Sequence, residues 1–306
     1  MTAALSIRGL GKDYGALRAV DALDLDVPAG EIFGLLGPNG AGKTTAISMV
    51  AGVLTPSRGT AAVAGHDIES QSFAARGALG LVPQDLAIYE DLTARQNLHF
   101  FGSLYGLSGS LLRERIDWAL DVARLADRAR ERVSGFSGGM KRRLNLVAGL
   151  LHKPALLILD EPTVGVDPQS RAHIFDTVRA LRDDGTTVLY TSHYMEEVQG
   201  LCDRVAIMDR GAVIASDTVD GLITAHAGGA MEVRVAGDPQ PLAAALAAVG
   251  AIEVHGDALH VKSEHTVGEV AAAVEAAGGT VRSIRTFGAD LESVFLALTG
   301  HALRDD

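Results

Sequence analysis

Short apolar runs recur along the first two thirds of the chain, separated by glycine, proline and charged residues. Such continuous runs predict strands that are buried on both faces of a parallel sheet. Segment 20–27 instead alternates apolar and acidic positions, which predicts a half-buried antiparallel strand. Segments 92–104 and 111–125 have helical spacing, so this part of the chain is predicted to be α/β. The apolar runs are 31–36, 79–84, 155–160 and 186–192.

The pattern changes after about residue 220. Strand-like segments and alanine-rich helical segments then follow in the order β-α-β-β-α-β, which predicts a small α+β domain of the ferredoxin-like type. A weak linker at 225–230 separates the two expected domains, a larger domain at 1–225 and an accessory domain at 230–306. Three histidines in the second domain fit no single ligand face and are expected to be solvent-exposed. They are His255, His260 and His265.

Composition and charge narrow the functional classes. The chain has 306 residues, of which 47% are hydrophobic and 21% charged, as expected for a soluble globular protein with a large core. Its net charge of −11 argues against a sequence-independent nucleic-acid binder, so no nucleic-acid partner is expected. No apolar stretch approaches the ~18–20 residues of a membrane span, so any spans would come from another chain. The single cysteine, Cys202, excludes an internal disulfide.

Segment 37–45 matches the phosphate-binding pattern G-x-x-x-x-G-K-[ST] and lies between a predicted strand and a predicted helix. Its glycines let the backbone turn N–H groups toward phosphate oxygens, and the helix start adds the positive end of its dipole. Lys43 is expected to reach the β- and γ-phosphates, and the Thr44 hydroxyl to hold Mg²⁺. A glycine-rich turn with a chance lysine is disfavoured by this context. The predicted nucleotide-binding residues of the loop are Gly37, Pro38, Asn39, Gly40, Ala41, Gly42, Lys43, Thr44 and Thr45.

A second glycine-rich turn leads into a helix that is predicted to run to about residue 151. Ser137, Gly138 and Gly139 therefore lie at a helix N-terminus, where free N–H groups and a hydroxyl form a second anion site. The local sequence leaves open whether this site meets the nucleotide bound by the P-loop of the same chain.

Two acidic residues stand together at the end of an apolar run. Asp160 is the last residue of the run at 155–160, and Glu161 directly follows it. Acids at the carboxyl end of a buried parallel strand lie where open α/β sheets bind ligands. Asp160 is expected to hold Mg²⁺, directly or through water, and Glu161 to polarise an attacking water. Two exposed loop acids are the alternative, which the apolar character of the strand disfavours.

Three other residues stay ambiguous when judged one at a time. Gln84 ends a short strand, where its amide oxygen either lies near Mg²⁺ or belongs to an ordinary loop residue. His193 follows the run at 186–192 and either lies beside the γ-phosphate or is a structural histidine. Tyr14 either stacks on a nucleobase or is a surface turn residue, and its spacing favours neither.

Taken together, segment 5–221 resembles the ATP-binding subunit of an ATP-binding-cassette (ABC) transporter. The serine-glycine-glycine of the second turn separates this family from kinases, GTPases and RecA-like ATPases. Phe136 and Val166 stand where the family usually has leucine, but both keep apolar bulk and leave every polar ligand in place. The family's motifs appear in order as Walker A (37–45), Q-loop (Gln84), signature (136–140), Walker B with its glutamate (156–161), D-loop (164–167) and switch (His193).

The resemblance implies a fold with a RecA-like parallel core, an antiparallel β subdomain and a helical subdomain. It implies that Tyr14 stacks on adenine, that Gln84 links Mg²⁺ and the γ-phosphate to a transmembrane partner, and that His193 contacts the γ-phosphate. Residues 137–139 would face the P-loop of a second copy, so that a head-to-tail dimer encloses two ATP molecules. The implied activity is hydrolysis of ATP with Mg²⁺, in which Glu161 and His193 are the catalytic residues.

Segment 290–300 resembles the C-terminal extension of ABC-2-class exporters of drugs, antibiotics and polysaccharides. This implies an ABC-2-type permease as partner, export of a drug, antibiotic, lipid or polysaccharide, and a location on the cytoplasmic face of the cell membrane. One alternative is a soluble ABC ATPase of translation or DNA repair, but those relatives usually carry two cassettes or a coiled-coil insertion. The other is a non-catalytic nucleotide-binding subunit, against which Glu161 and the intact serine-glycine turn argue.

Overall fold

The computed structural model of the chain describes residues 3–226, 230–256, 258–263, 265–286 and 290–299. The chain divides into two compact units, Met1–Val213 and Ile214–Asp306. The domain limits expected from the sequence, 1–225 and 230–306, stay a prediction. Every predicted site residue belongs to the first unit under either division.

Strands and helices alternate along the first unit. The strands are β1 (Ala3–Tyr14), β2 (Leu17–Pro28), β3 (Ile32–Leu36), β4 (Arg58–Val63), β5 (His66–Asp67), β6 (Leu79–Val82), β7 (Leu156–Asp160), β8 (Thr187–Ser192), β9 (Arg204–Asp209) and β10 (Ala212–Thr218), the last of which crosses the division. The helices are α1 (Lys43–Val50), α2 (Ser72–Gly77), α3 (Ala94–Leu104), α4 (Gly109–Val122), α5 (Gly138–Ala148), α6 (Pro168–Asp183) and α7 (Met195–Leu201).

A mostly parallel sheet with the order β10-β9-β3-β8-β7-β6 forms the centre of the first unit. Strand β3 pairs in parallel with β8 and β9, and β7 pairs in parallel with β6 and β8. Strands β3, β7 and β8 are buried over their whole length, as their apolar sequences predict. Leu36 lies opposite Ser192, and Asp160 lies opposite Thr191. The carboxyl ends of β3, β7 and β8 therefore meet at one edge of the sheet.

The antiparallel sheet has the order β2-β1-β4-β5. In β2 the apolar residues Val20, Leu23, Leu25 and Val27 are buried and the acidic residues between them are not, which confirms the half-buried strand predicted for 20–27. These side chains, those of α1 and part of the parallel sheet share one hydrophobic core. The P-loop helix is thus held between the two sheets.

Helices α3, α4 and α5 pack on one another and form the helical part of the first unit. A capping box of Thr93 and Gln96 begins α3. The buried guanidinium of Arg115 in α4 donates to the carbonyls of Leu150 (3.1 Å) and Leu151 (2.9 Å), which ties α4 to the chain that leaves α5. A parallel core, an antiparallel sheet and a helical subdomain confirm the fold expected for the first unit.

The second unit also confirms the expected element order. Its antiparallel sheet has the strand order β12-β13-β11-β14, and a core that includes Val233, Leu259, Val270 and Val274 joins the sheet to two helices. The elements are α8 (Val219–His226), β11 (Ala230–Val235), α9 (Gln240–Ala245), β12 (Ala251–His255), β13 (Ala258–Lys262), α10 (Val267–Ala276), β14 (Val281–Thr286) and α11 (Leu291–Thr299).

The expectation that all three histidines of this unit are exposed is wrong for His260. Its side chain is only 15% exposed, and its Nε2 lies 3.6 Å from Glu232 Oε2 on the neighbouring strand. Burial lowers the pKa of His260. The five-residue spacing could not reveal this, because cross-strand pairing decides which side chains are covered.

Candidate nucleotide site

The P-loop connects β3 to α1, and its backbone conformation leaves no room for a side chain at two of its glycines. A Cβ added at Gly37 would lie 2.4 Å from the Met208 carbonyl oxygen, and one at Gly42 would lie 2.5 Å from that of Ala19. Gly42 also has a φ of +100°, in the left-handed region that favours glycine. No side chain caps the start of α1, so its first N–H groups remain available to an anion.

Lys43 is buried at the base of this loop, with a relative exposure of 4%. Its Nζ donates to the carbonyl oxygens of Gly37 (2.7 Å) and Pro38 (3.2 Å) and lies 3.5 Å from Glu161 Oε1. Burial lowers the pKa of Lys43, and the carboxylates of Glu161 and Asp160 oppose that shift. The cation is thus held by groups that phosphate oxygens can replace.

Glu161 lies at the centre of the candidate catalytic residues. Its Oε2 accepts a hydrogen bond from Gln84 Nε2 (3.3 Å) and lies 3.2 Å from His193 Nδ1. Because Lys43 Nζ lies beside Oε1, the carboxylate contacts three side chains that are far apart in the sequence. The structure therefore brings together the acid, the lysine, the glutamine and the histidine that the sequence identified separately.

The backbone at Glu161 is strained, because its φ of +48° lies in the left-handed region that side chains other than glycine rarely adopt. Thr191, which is fully buried, holds this turn: its hydroxyl donates to Asp160 Oδ1 (2.7 Å) and accepts from the Glu161 N–H (3.0 Å). The sequence analysis missed Thr191. A hydroxyl residue two positions before the candidate histidine was the available signal.

An open cleft of about 440 Å³ runs from the P-loop to the end of β1. Tyr14, 46% exposed, stands on its wall, and Thr44, Thr45, Gln84 and Glu161 also line it. Its volume lies within the ~300–1,000 Å³ that is usual for small-molecule sites. Leu17 and Ala19, which the sequence analysis did not select, line the same wall as Tyr14.

Comparison with known proteins identifies the family. The ABC transporter family model matches residues 20–164. The chain is 42% identical, over 98% of its length and 100% of the relative's, to the linearmycin resistance ATP-binding protein LnrL of Bacillus subtilis. It is 41% identical, over the whole length of both chains, to the Nod factor export ATP-binding protein I of Cupriavidus metallidurans. The chain belongs to the ABC transporter family. It is an ATP-binding and ATP-hydrolysing subunit of such a transporter.

A solved structure agrees with this assignment. The ATP-binding subunit of an ABC transporter superposes with a TM-score of 0.67 at 29% identity, over 73% of this chain and 93% of that one. A soluble, non-transport ABC ATPase is therefore not favoured. ABC ATPase subunits dimerise and work with a transmembrane permease. None of the helices in the described part of the chain combines the length and the hydropathy that a bilayer crossing requires.

The signature turn of this ABC subunit stands apart from the cleft of its own chain. Ser137 caps α5 by accepting a hydrogen bond from the Met140 N–H (3.3 Å). A Cβ at Gly139 would lie 2.0 Å from Ser170 Oγ, whereas one at Gly138 would meet no atom within 4 Å. The described residues that line the cleft do not include 137–139. The open space at Gly138 leaves the turn accessible to a group from outside the chain.

Arg142 on the signature helix of this ABC subunit is a second residue that the sequence analysis did not select. Its guanidinium donates to the backbone carbonyl of Gln84 and, over 3.2 Å, to that of Val164 in the D-loop. Nearby on α5, Asn145 Oδ1 accepts from the Ala87 N–H (3.1 Å). The signature helix, the Q-loop and the D-loop are therefore hydrogen-bonded to one another.

Proposed function

We propose that this chain binds MgATP at its P-loop, hydrolyses it with Glu161 as the water-activating residue, and thereby powers export through a separate ABC-2-type permease. The observation that carries the proposal is the Glu161 carboxylate in contact with Lys43, Gln84 and His193 at the ends of β3, β7 and β8. The resistance and export names of the relatives support export of a drug, antibiotic, lipid or polysaccharide from the cytoplasmic face of the cell membrane.

Hydrolysis then follows from charge and geometry. The γ-phosphate takes the place of the carbonyl and carboxylate partners of Lys43, which frees Glu161 to orient and polarise a water. His193 lies beside Glu161 and donates to the γ-phosphate. Tyr14 stacks on adenine at the open end of the cleft. Thr44, Gln84 and Asp160 supply hydroxyl, amide and carboxylate oxygens, the donor set that suits Mg²⁺, which would neutralise the β- and γ-phosphates.

Two copies complete the site. We propose that the signature turn of one copy binds the γ-phosphate held by the P-loop of the other, through Ser137 and the N–H groups of Gly138 and Gly139. The free space at Gly138 and the helix N-terminus of α5 support this arrangement. The head-to-tail dimer encloses two ATP molecules, and its closing and opening drive the permease.

Gly138→Ala tests this arrangement. The substitution meets no atom of its own chain and favours the helix, so the melting temperature is expected to stay unchanged or to rise slightly. The methyl group would project toward the partner's γ-phosphate, and ATP turnover is expected to fall at least about tenfold. Gly200→Ala, also a helical glycine with open space, is the matched control and should keep wild-type turnover.

A mixing experiment tests whether the two parts of the site come from different copies. A dimer of one Lys43→Met copy and one Gly138→Ala copy has both defects in one site and an intact second site. Mixing the two impaired variants is therefore expected to raise phosphate release above that of either variant alone. Absence of any restoration, with heterodimers verified by tag-specific capture, would contradict the arrangement.

An exposed aromatic surface supports the permease as partner. Tyr89, five residues after Gln84, is 50% exposed. The centroid of its ring lies 5.1 Å from that of Phe100 and 6.2 Å from that of Phe101. Clustered exposed aromatic side chains beside a functional loop are typical of interaction surfaces. We propose that the permease packs against this aromatic surface and senses nucleotide through Gln84.

Phe100→Asp is expected to abolish co-purification with the permease, because it places a charge in an apolar interface, and to leave ATP binding by the isolated subunit unchanged. The control is Leu111→Asp on α4, which introduces the same charge at an exposed leucine. Pull-down from detergent-solubilised membranes of cells that express both subunits measures the result. Equal recovery of the permease by both variants would remove this surface from the proposal.

A further inference from the structure

A second glutamate, Glu197 in the first turn of α7, is buried close to the site. Its relative exposure is 4%, and the preceding residue, Glu196, is exposed. Glu197 Oε2 accepts three hydroxyl hydrogen bonds, and Oε1 lies 3.3 Å from Arg171 Nε. The hydroxyl donors are Thr163 Oγ1 (2.7 Å), Tyr190 OH (2.7 Å) and Ser192 Oγ (3.2 Å).

A buried carboxylate is costly unless charged and hydrogen-bonded partners compensate for the water it loses. At Glu197 the compensation comes from three separate segments of chain rather than from α7 itself. Ionised carboxylates accept hydrogen bonds only, so all three hydroxyls are fixed as donors toward one oxygen. One side chain therefore determines the orientation of three others.

The hydroxyl partners of Glu197 belong to the two segments that carry the candidate catalytic residues. Thr163 is two positions after Glu161 and directly precedes the D-loop. Ser192 precedes His193, and its Oγ also accepts from the Tyr194 N–H (2.9 Å), so it fixes the chain on both sides of the histidine. Backbone pairing of β7 with β8 ends at Asp160 and Thr191. Beyond that point, Glu197 joins the two segments.

Arg171 extends the connection to the partner-facing side of the proposed dimer site. It belongs to α6, which begins at the N-cap Asp167, the last residue of the D-loop. Its guanidinium also lies 6.0 Å from the ring of Tyr194, next to His193. Glu197 thus contacts the chain after Glu161, the chain around His193 and the helix that follows the D-loop.

We propose that Glu197 is a positioning residue for ATP hydrolysis. It holds the segment after Glu161 and the segment that carries His193 in a fixed relation, so that both side chains reach the attacking water and the γ-phosphate together. The inference rests on the roles proposed above for Glu161 and His193. Glu197 itself touches neither nucleotide nor water in this mechanism.

Glu197→Met removes the acceptor while keeping the side-chain length. We expect kcat for ATP to fall about 10- to 100-fold with KM for ATP within about twofold, because displaced catalytic groups slow the chemical step more than they weaken binding. Glu197→Gln keeps one acceptor oxygen, and hydroxyls can donate or accept, so it should recover most of the lost kcat. Glu196→Met, the same change at the exposed neighbour, should match the wild type.

A double-mutant cycle with His193→Ala separates positioning from stability. If Glu197 acts through His193, Glu197→Met should lower kcat by less than about twofold once His193 is absent. An equal fold-loss in both backgrounds, or a lower melting temperature with wild-type kcat, overturns the inference and leaves the proposed function intact. Wild-type turnover in His193→Ala alone would instead overturn the proposed role of His193, and the Glu197 inference with it.

If Glu197→Met fails to fold, Ser192→Ala can take its place in the double-mutant cycle with His193→Ala. It deletes one hydrogen bond to Glu197, together with the acceptor of the Tyr194 N–H, and leaves the carboxylate with its other partners. The expected result is a reduction of kcat of about threefold or more at an unchanged melting temperature, again absent in the His193→Ala background. An additive effect overturns the inference in this variant as well.

Discussion

Glu161→Gln is expected to lower kcat for ATP hydrolysis by about 100- to 1,000-fold while ATP still binds, which is the range usual for a lost acid-base or electrostatic group. The amide has the size of the carboxylate but cannot polarise a water or accept its proton. Lys43, Thr44 and the P-loop backbone remain in place for the phosphates. Because hydrolysis then fails to reopen the dimer, ATP and Mg²⁺ should accumulate a closed dimer. Phosphate release and size-exclusion chromatography with ATP measure the two effects.

The control for this experiment is Glu114→Gln, the same neutralisation at an exposed glutamate of α4. Its turnover and its monomer-dimer distribution should equal those of the wild type. The left-handed backbone at 161 is equally strained for Glu and Gln, so Glu161→Gln adds no backbone strain. Wild-type turnover in Glu161→Gln would refute the role assigned to this carboxylate.

Lys43→Met is expected to raise Kd for ATP by about 100-fold or more. The lysine stem is replaced by apolar atoms of similar length, but the phosphates lose a cation whose hydrogen bonds to charged oxygens contribute about 1.5–3 kcal/mol each. Two such contacts correspond to at least a factor of about 100, at about 1.4 kcal/mol for each factor of ten. Isothermal titration calorimetry with ATP measures the change.

A thermal-shift series checks the same prediction independently. Ligand present at about 100 times its Kd stabilises a folded protein by about 2.7 kcal/mol, so ATP should raise the melting temperature of the wild type and not that of Lys43→Met at the same concentration. Lys153→Met, at an exposed lysine, should respond to ATP as the wild type does. An equal ATP-induced shift in both variants would contradict the prediction.

Much of the candidate site could be predicted from motif spacing, because in a parallel sheet the sequence position of a residue relative to its strand determines at which edge of the sheet it lies. Each apolar run became a parallel strand, and parallel strands place their carboxyl ends at one edge, so residues following three of them had to converge. The P-loop, Asp160 and Glu161 were found in this way. The interpretation of Tyr14, Gln84 and His193 was left open by spacing alone, and their place in the site depends on how separate segments pack.

Contacts between hydroxyls and buried carboxylates could not be predicted in the same way. Thr191 and Glu197 lie 30 and 34 residues, respectively, from their partners Glu161 and Thr163, and nothing in the local sequence distinguishes Glu197 from its exposed neighbour. A helix places consecutive residues on different faces, so only packing determines which of two adjacent glutamates is buried. Packing against the neighbouring strand likewise explains the wrong expectation for His260.

The amino-acid sequence by itself determined the α/β cassette, the phosphate loop and the acids at the strand ends, because these follow from hydrophobic periodicity and from short patterns whose backbone needs are local. Tertiary structure alone decided that Glu161 contacts Lys43, Gln84 and His193, that the signature turn lies outside the cleft of its own chain, and that Glu197 joins the two catalytic segments. Those features depend on side chains distant in sequence, and strand pairing and helix packing set their distances.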